Sequence, residues 1–395
     1  MSPAPGECDL AVVGAGIVGL AVARELALRW PGASVTVLER ARDVAGGQTA
    51  ANSGVVHAGI PYAPGSLKAR LCVEGSRELY EYCGRAGVRY ERCGKVIVAR
   101  HPDELGRLSE LERRGRENGV PGLRRLTAGE LRGLEPHCRG VEALHSPATG
   151  VVDFAEVARA LAREFSEREG AQVITGCPVE GVSPRRGRIG LAHAQGETRA
   201  RYAVFCAGAS ADRLAQAAGG SPDPRIVSFR GAYAYLRPER SSLVRSLIYP
   251  VPDPGLPFLG VHLSRHLDGR VSVGPTALFA PRATRELAWP GTWRMARRWW
   301  RTGARELRLA VGHRALAAAA AEYVPELRAH DLDGGFAGVR AQALARDGRL
   351  VDDFVVSETE RALHLRNAPS PAATSAFALA RLLAERVEAG LERVS

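Results

Sequence analysis

A chain of 395 residues exceeds what one hydrophobic core ordinarily supports, so two domains are expected. Hydrophobic residues make up 45% and charged residues 25%, an ordinary globular balance, and no apolar run approaches the ~18 residues that span a bilayer. The net charge of +11 is almost all arginine, with lysine only at Lys68 and Lys95; without a compact basic motif interleaved with aromatics, coding bias accounts for it better than nucleic-acid binding.

The seven cysteines (8, 72, 83, 93, 138, 177 and 206) are scattered, odd in number and form no Cys-x-x-Cys pair. That argues against zinc and iron–sulfur sites, predicts no metal, and fits a reducing compartment. About eight residues precede the first predicted strand, too few for a cleaved leader, so the expected location is cytoplasmic or peripheral to the inner membrane face.

Residues 10–13 are an apolar run that reads as a buried strand. It breaks into Gly14, Gly16 and Gly19, and residues 20–26 continue with helical spacing. In a strand–turn–helix the three glycines serve a tight turn, close backbone approach to a pyrophosphate and close helix–strand packing. The helix N-terminus, with Ile17 and Val18 in its first turn, offers bare N–H groups and a positive dipole end to phosphates. A second strand, residues 34–38, ends in Glu39, twenty residues past Gly19, where an acid accepts a hydrogen bond from a ribose hydroxyl. Arg40 follows, but the acid disfavours a 2′-phosphate. The unit reads as an adenine-dinucleotide site.

Residues 46–59 form a loop rich in glycine and alanine. Small residues let backbone lie flat against a planar ring, with Asn52 and Ser53 offering hydrogen bonds; a loop merely packed under the first helix is the alternative. A helix is expected over 66–87, with Ser66 as its N-cap and Gly87 as its stop. Residues 88–99 read as strand and 102–118 as helix. A helix capped by Asp153 should occupy 153–168, followed by a strand at 172–175 and a short β region through 189. The apolar strand 203–209 closes in a glycine turn and looks like a return into the first sheet, so the nucleotide domain is expected to be discontinuous.

From Ile226 the pattern becomes period-two, with strands expected at 231–236, 258–263 and 271–273, which signals an antiparallel sheet. Residues 293–310 read as a basic helix with Trp293, Ala296, Trp300, Ala304 and Leu307 on one stripe. Such a helix can rest on an anionic membrane surface; a helix docked on the sheet with a solvated arginine face is the other reading. An alanine-rich helix should follow at 314–323, and after strand 362–365 the prolines at 369 and 371 mark the start of a last helix. The expected class is α/β: a discontinuous Rossmann-like nucleotide domain (1–95, 150–225 and 335–395) and an α+β substrate domain with an antiparallel sheet (96–149 and 226–334).

Several motifs, in order, carry a resemblance over nearly the whole chain: Asn52-Ser53-Gly54-Val55-Val56-His57-Ala58-Gly59, Gly65-Ser66-Leu67-Lys68-Ala69, Cys93-Gly94-Lys95, Phe229-Arg230-Gly231, Phe258-Leu259-Gly260-Val261-His262, Gly338-Val339-Arg340-Ala341-Gln342-Ala343 and residues 367–375. The chain resembles the D-amino-acid oxidase and glycine oxidase superfamily of FAD enzymes, and more closely the L-2-hydroxyglutarate dehydrogenase/oxidase family. It departs from the usual motifs of that family at Gly47 and Ala51, where histidines are usual, at Ala232, usually acidic, and at Thr276, usually asparagine. A Lys-Arg-Glu-Gly run normally found soon after Thr276 is missing.

The resemblance implies FAD as cofactor and oxidation of a 2-hydroxy acid to the 2-keto acid by hydride transfer to flavin N5. The cofactor carries that step, and the protein must position C2, remove the hydroxyl proton and hold the carboxylate. His57 and His262 are the candidate bases, with covalent flavin attachment as a rival role for His57. Arg340 matches the arginine that grips substrate carboxylate, a job suited to its two-pronged geometry. Lys68, Arg230 and Tyr233 are candidates for a distal carboxylate. Flavin contacts are expected from Gln48, Thr49, Asn52, Ser53 and Gly54, from Val179, Ala207 and Gly208, and from Pro371, Ala372, Ala373 and Thr374. The implied partners are a small carboxylate substrate and an external electron acceptor, a quinone or other carrier, or O2. The alternatives are an amine or amino-acid oxidase of the same superfamily and a flavin-binding protein without catalysis.

Overall fold

The structure, a computed structural model, describes residues 3–256 and 258–394. Apolar runs alternating with helical segments assemble a mostly parallel sheet. Its strands lie in the order Gly181–Arg185, Arg188–His193, Gly196–Phe205, Glu7–Val13, Val35–Leu38 and Ala171–Ile174, and Ala362–Asn367 joins it beside Gly196–Phe205. Glu7–Val13 is central and parallel to both neighbours. Val35–Leu38 is buried at every position, as a parallel strand covered on both faces requires. Helix Ile17–Arg29 packs against Phe154–Ser166 and Ala376–Val394. Leu20, Val22 and Leu26 meet Phe165, Leu379 and Leu383 there in one apolar cluster.

Helix Leu67–Ala86 begins and ends where residues 66–87 predict. The Ser66 hydroxyl accepts from the Ala69 N–H at 3.2 Å, and Gly87 closes the last turn with φ +67°. Asp153 likewise caps Phe154–Ser166 through two backbone N–H groups. The expected strand over 88–99 is instead two strands in different sheets, Tyr90–Glu91 and Lys95–Ala99. Between them Gly94 turns the chain at φ +79°, a left-handed geometry that breaks an extended run.

The second sheet runs Leu278–Phe279, Arg225–Leu236, Val271–Gly274, His262–Arg265, Leu247–Pro250, Lys95–Ala99, Glu142–Ser146 and Arg124–Thr127. It is antiparallel apart from the pairing of Leu247–Pro250 with Lys95–Ala99. Strand Leu332–Leu344 pairs antiparallel along nearly all of Arg225–Leu236. The expected boundary at 335 therefore falls inside a strand of the second sheet; the long pairing with Arg225–Leu236 holds the chain there before it returns to the first. Of the expected strand 258–263, only the end pairs, as His262–Arg265. Prolines at 250, 252 and 254 remove ladder donors on the approach to it, and Pro257 lies outside the described residues. A third, small sheet pairs Val55–Val56 and Tyr90–Glu91 with Gly150–Val152.

Helix Pro290–Ala310 docks through a different stripe from the one its tryptophans mark. Met295 is buried and Trp299, Thr302, Glu306 and Leu309 are half-buried, whereas Trp293, Ala296, Trp300, Ala304 and Leu307 face solvent. Among the described residues no helix is long and apolar enough to cross a membrane.

Candidate functional site

A cleft of about 620 Å³ runs from the C-terminal ends of the parallel strands to the second sheet. Its first part is built by the glycine turn. Gly14 takes φ +109°, and a Cβ there would lie 2.5 Å from the Cys206 carbonyl. A Cβ at Gly19 would overlap the Gly14 carbonyl. These two glycines serve the fold. Gly16 differs: it lines the cleft, its backbone is extended, and a Cβ would meet only the Thr49 hydroxyl, at 3.1 Å.

The first helical N–H, at Ile17, donates to Thr49 Oγ1 at 3.1 Å. The next two, at Val18 and Gly19, line the cleft without an acceptor among the described residues. The Glu39 carboxylate ends the second strand on the same wall, accepting from the Ala15 and Ala41 N–H groups at 2.6 and 2.8 Å. Unsatisfied helix N–H groups, a side-chain-free approach and a carboxylate beyond the second strand fit the pyrophosphate and ribose of an adenine dinucleotide. Arg40, Val179, Ala207 and Gly208 lie on the same wall.

The loop after Gly46 is held by its own polar groups. Asn52 Nδ2 donates to the Thr49 carbonyl at 2.6 Å, and Asn52 Oδ1 accepts from the Gly54 N–H at 2.8 Å. Gln48 Oε1 accepts from the Ala341 N–H at 3.0 Å, which ties the loop to strand Leu332–Leu344. Gly338 makes the fit possible, since a Cβ there would collide with the Ala51 carbonyl. Gln48, Thr49, Asn52 and Ser53 all line the cleft. Gly54, expected among the flavin contacts, is not among the residues that line the cleft; it turns the loop at φ +71° and its carbonyl accepts from Val152. Pro371, Ala372, Ala373 and Thr374 form the opposite wall, and Thr374 Oγ1 accepts from the His57 N–H at 3.2 Å. Helix Leu67–Ala86 admits this turn at Gly75, where a Cβ would lie 2.6 Å from Ser375 Cα.

At the second sheet the cleft is lined by His57, Tyr233 and Arg340. Arg340 lies 5.1 Å from the centroid of the Phe258 ring and has no carboxylate partner among the described residues. Tyr233 stacks on Phe336 at 4.7 Å. His57 Nε2 stands 3.4 Å from Ser370 Oγ. His262 is buried just off the wall, stacked on Tyr249 at 4.0 Å, with Nδ1 3.0 Å from the Gly260 carbonyl. That bond places the proton on Nδ1 and leaves Nε2 with a lone pair. Burial pushes both imidazoles down, His57 to about 3 and His262 to about 4, and the positive charges of Lys95 and Arg340 add to the effect.

Two candidates for a distal carboxylate are placed elsewhere. Lys68 is taken by Asp352, whose Oδ1 and backbone carbonyl accept from Nζ at 2.7 and 3.0 Å. Arg230 is exposed, away from the cleft, because strand alternation turns it opposite to Gly231 and Tyr233. Lys95, not expected as a site residue, is buried beside Tyr249 and acts on both histidines. A signal for it was present, since it is one of two lysines in an arginine-rich chain. Two of the motif departures touch each other: Thr276 Oγ1 accepts from the Ala232 N–H at 3.1 Å, and the Thr276 N–H donates back to the Ala232 carbonyl at 3.0 Å.

Fold and cleft together define a flavin-dependent oxidoreductase, and the FAD dependent oxidoreductase family model matches residues 9–386. An L-α-glycerophosphate oxidase from Mycoplasma pneumoniae, solved with FAD bound, has the same fold with a TM-score of 0.80 at 24% identity, over 97% of this chain and 95% of that one. Glycine oxidase from Geobacillus kaustophilus gives 0.72 at 20% identity, over 98% and 95%. In sequence the chain is 43% identical to the mitochondrial L-2-hydroxyglutarate dehydrogenase of Homo sapiens, over 97% of this chain and 89% of the relative. It is 40% identical to the L-2-hydroxyglutarate dehydrogenase of Indibacter alkaliphilus, over 95% and 97%. The chain belongs to the L-2-hydroxyglutarate dehydrogenase family of FAD-dependent oxidoreductases.

Proposed function

We propose that the chain oxidises the C2 hydroxyl of a small 2-hydroxy acid, with 2-hydroxyglutarate, the acid named for its relatives, as first candidate. The observation that carries this reading is the Arg340 guanidinium, without a carboxylate partner among the described residues, in the same cleft as a neutral imidazole. Bound FAD supplies the two-electron acceptor. The Arg340 fork binds the carboxylate beside C2 with two charge-assisted hydrogen bonds and so fixes the orientation of the hydroxyl. His57, which lines the cleft, takes the hydroxyl proton. His262, behind the wall, holds its place through the Gly260 carbonyl and the Tyr249 face. Turnover with a dye acceptor tests the reading: 2-hydroxy acids should exceed 2-amino acids by at least about tenfold in kcat/KM. The reverse preference identifies an amino-acid oxidase.

The pH profile follows from the sign of the histidine shifts. An unperturbed imidazole is lost as a base below about pH 6.5. Here the neutral form of His57 persists until about 3, so kcat/KM should hold down to that region. Bound carboxylate offsets the positive charges of Lys95 and Arg340, which raises His57 in the complex, so the acid limb of kcat should lie above that of kcat/KM. Coincident limbs between about pH 6 and 7 would contradict the assignment of His57.

The reduced enzyme passes its electrons to an external carrier at a membrane surface, through helix Pro290–Ala310. Trp293, Trp300, Leu307 and Val311 are 65%, 64%, 54% and 78% exposed. They face away from the buried Met295 and the half-buried Trp299, Thr302, Glu306 and Leu309, flanked by Arg294, Arg297, Arg298, Arg301, Arg305 and Arg308. Amphipathic tryptophan bodies beside a row of arginines suit an anionic lipid surface in the cytoplasm. The flavin-loaded protein should sediment with phosphatidylglycerol vesicles at low salt, not with phosphatidylcholine alone, and the paired change Trp293→Ser, Trp300→Ser should release it. Absence of sedimentation with anionic vesicles at low salt defeats the membrane reading.

A further inference from the structure

Lys95 opens a buried strand, in register between Leu247 on one side and Ser146 on the other. It keeps 3% of its surface. The ammonium lies 5.1 Å from the centroid of the Tyr249 ring, with no hydrogen-bond acceptor and no carboxylate among the described residues. Nor is it among the polar atoms that are both unbonded and fully sealed, so the small remaining exposure includes the charged end. A chain of rings joins this point to the cleft: Tyr249 stacks on His262 at 4.0 Å, and His262 meets the edge of Tyr233, a cleft residue, at 6.5 Å.

Charge balance around His57 is one-sided. Lys95, Lys68 and Arg340 all act on it, and only Lys68 has a carboxylate, Asp352 at 2.7 Å. Two positive charges, on Lys95 and Arg340, are left without a counter-ion among the described residues. Burial of an unpaired ammonium is unfavourable, and Lys95 is already pushed down to about 8 by it. A monocarboxylate on Arg340 would compensate one charge and leave the other.

We propose that Lys95 pairs with the second carboxylate of a dicarboxylic 2-hydroxy acid whose first carboxylate sits on Arg340, so that this lysine selects dicarboxylates. The inference rests on the 2-hydroxy-acid reading and names the acid's class. It also moves the distal-carboxylate role from Lys68 and Arg230 to a residue behind the cleft lining, joined to it through Tyr249 and His262. Nothing covalent is involved; the lysine acts as a counter-ion.

Equilibrium binding of the unreactive acids glutarate and butyrate to flavin-loaded protein, read by perturbation of the flavin spectrum, tests it. Lys95→Met should weaken glutarate by at least about 30-fold and butyrate by no more than about threefold. Lys95→Arg, which keeps the charge, should recover most of the glutarate affinity. Flavin content and thermal midpoint establish that each variant is folded. Equal losses for the two acids, or no loss for glutarate, would overturn the proposal. If the wild type turns over no 2-hydroxy acid, the functional reading falls, while the glutarate-to-butyrate ratio still decides the role of Lys95.

Discussion

Gly16→Val should give a folded protein that purifies colourless. The backbone at Gly16 is extended, φ −75° and ψ 172°, a geometry open to valine, and the one close neighbour of an added Cβ is a hydroxyl at 3.1 Å. The protein tolerates the side chain; the cleft does not. An isopropyl group there occupies the space in front of the unsatisfied Val18 and Gly19 N–H groups. Each hydrogen bond to a charged oxygen contributes about 1.5–3 kcal/mol, so losing two predicts at least about a hundredfold weaker flavin binding. Gly19→Val is the instructive contrast: its side chain would strike the Gly14 carbonyl, and loss of fold should accompany loss of flavin. The flavin-to-protein absorbance ratio and the far-UV spectrum separate the two cases. A yellow, flavin-replete Gly16→Val protein would place the pyrophosphate elsewhere.

Arg340→Ala should lower kcat/KM by roughly tenfold to a hundredfold with flavin content unchanged, since one decade is about 1.4 kcal/mol. Arg340 sits on strand Leu332–Leu344 opposite Phe229, packed against Phe258 and unpaired with any carboxylate among the described residues, so its removal frees no buried counter-charge. The loss is then the loss of substrate contact. Arg340→Lys should recover only part, because a point charge cannot reproduce the planar fork. Near-normal kcat/KM in a flavin-replete Arg340→Ala enzyme would remove the residue from the site.

The nucleotide half was legible because its signals are local. Gly14, Gly16 and Gly19, the flanking strand and helix and the acid at 39 lie within one supersecondary unit. Ser66 and Gly87 likewise announce a helix whose ends depend on neighbours a few residues away. The substrate half depends on contacts across the chain. Nothing near Lys68 foretells Asp352, 284 residues later, which occupies its ammonium. Arg230 and Tyr233 stand an odd number of positions apart, so a regular strand cannot turn both to one cleft; the motif resemblance drew them together and strand geometry separates them. The sequence places Lys95 only in a strand over 88–99 and in the Cys93-Gly94-Lys95 motif, and the packing of Tyr249 and His262 is what shows it beside the histidines. The run 335–344 was expected in the flavin domain because it precedes the last helix, but its hydrogen bonds are with Arg225–Leu236. Sequence order does not reveal sheet membership when a chain leaves the first sheet for the second and returns, and does so twice.

The most direct test is anaerobic. Flavin-loaded wild-type protein is titrated with L-2-hydroxyglutarate and, separately, with the corresponding 2-amino acid, glutamate, while flavin absorbance is followed with oxygen excluded. Oxidation of a C2 hydroxyl predicts stoichiometric bleaching by the hydroxy acid, formation of the 2-keto acid and no bleaching by glutamate. Bleaching by glutamate alone, or a yellow protein that no 2-hydroxy acid bleaches, would contradict it.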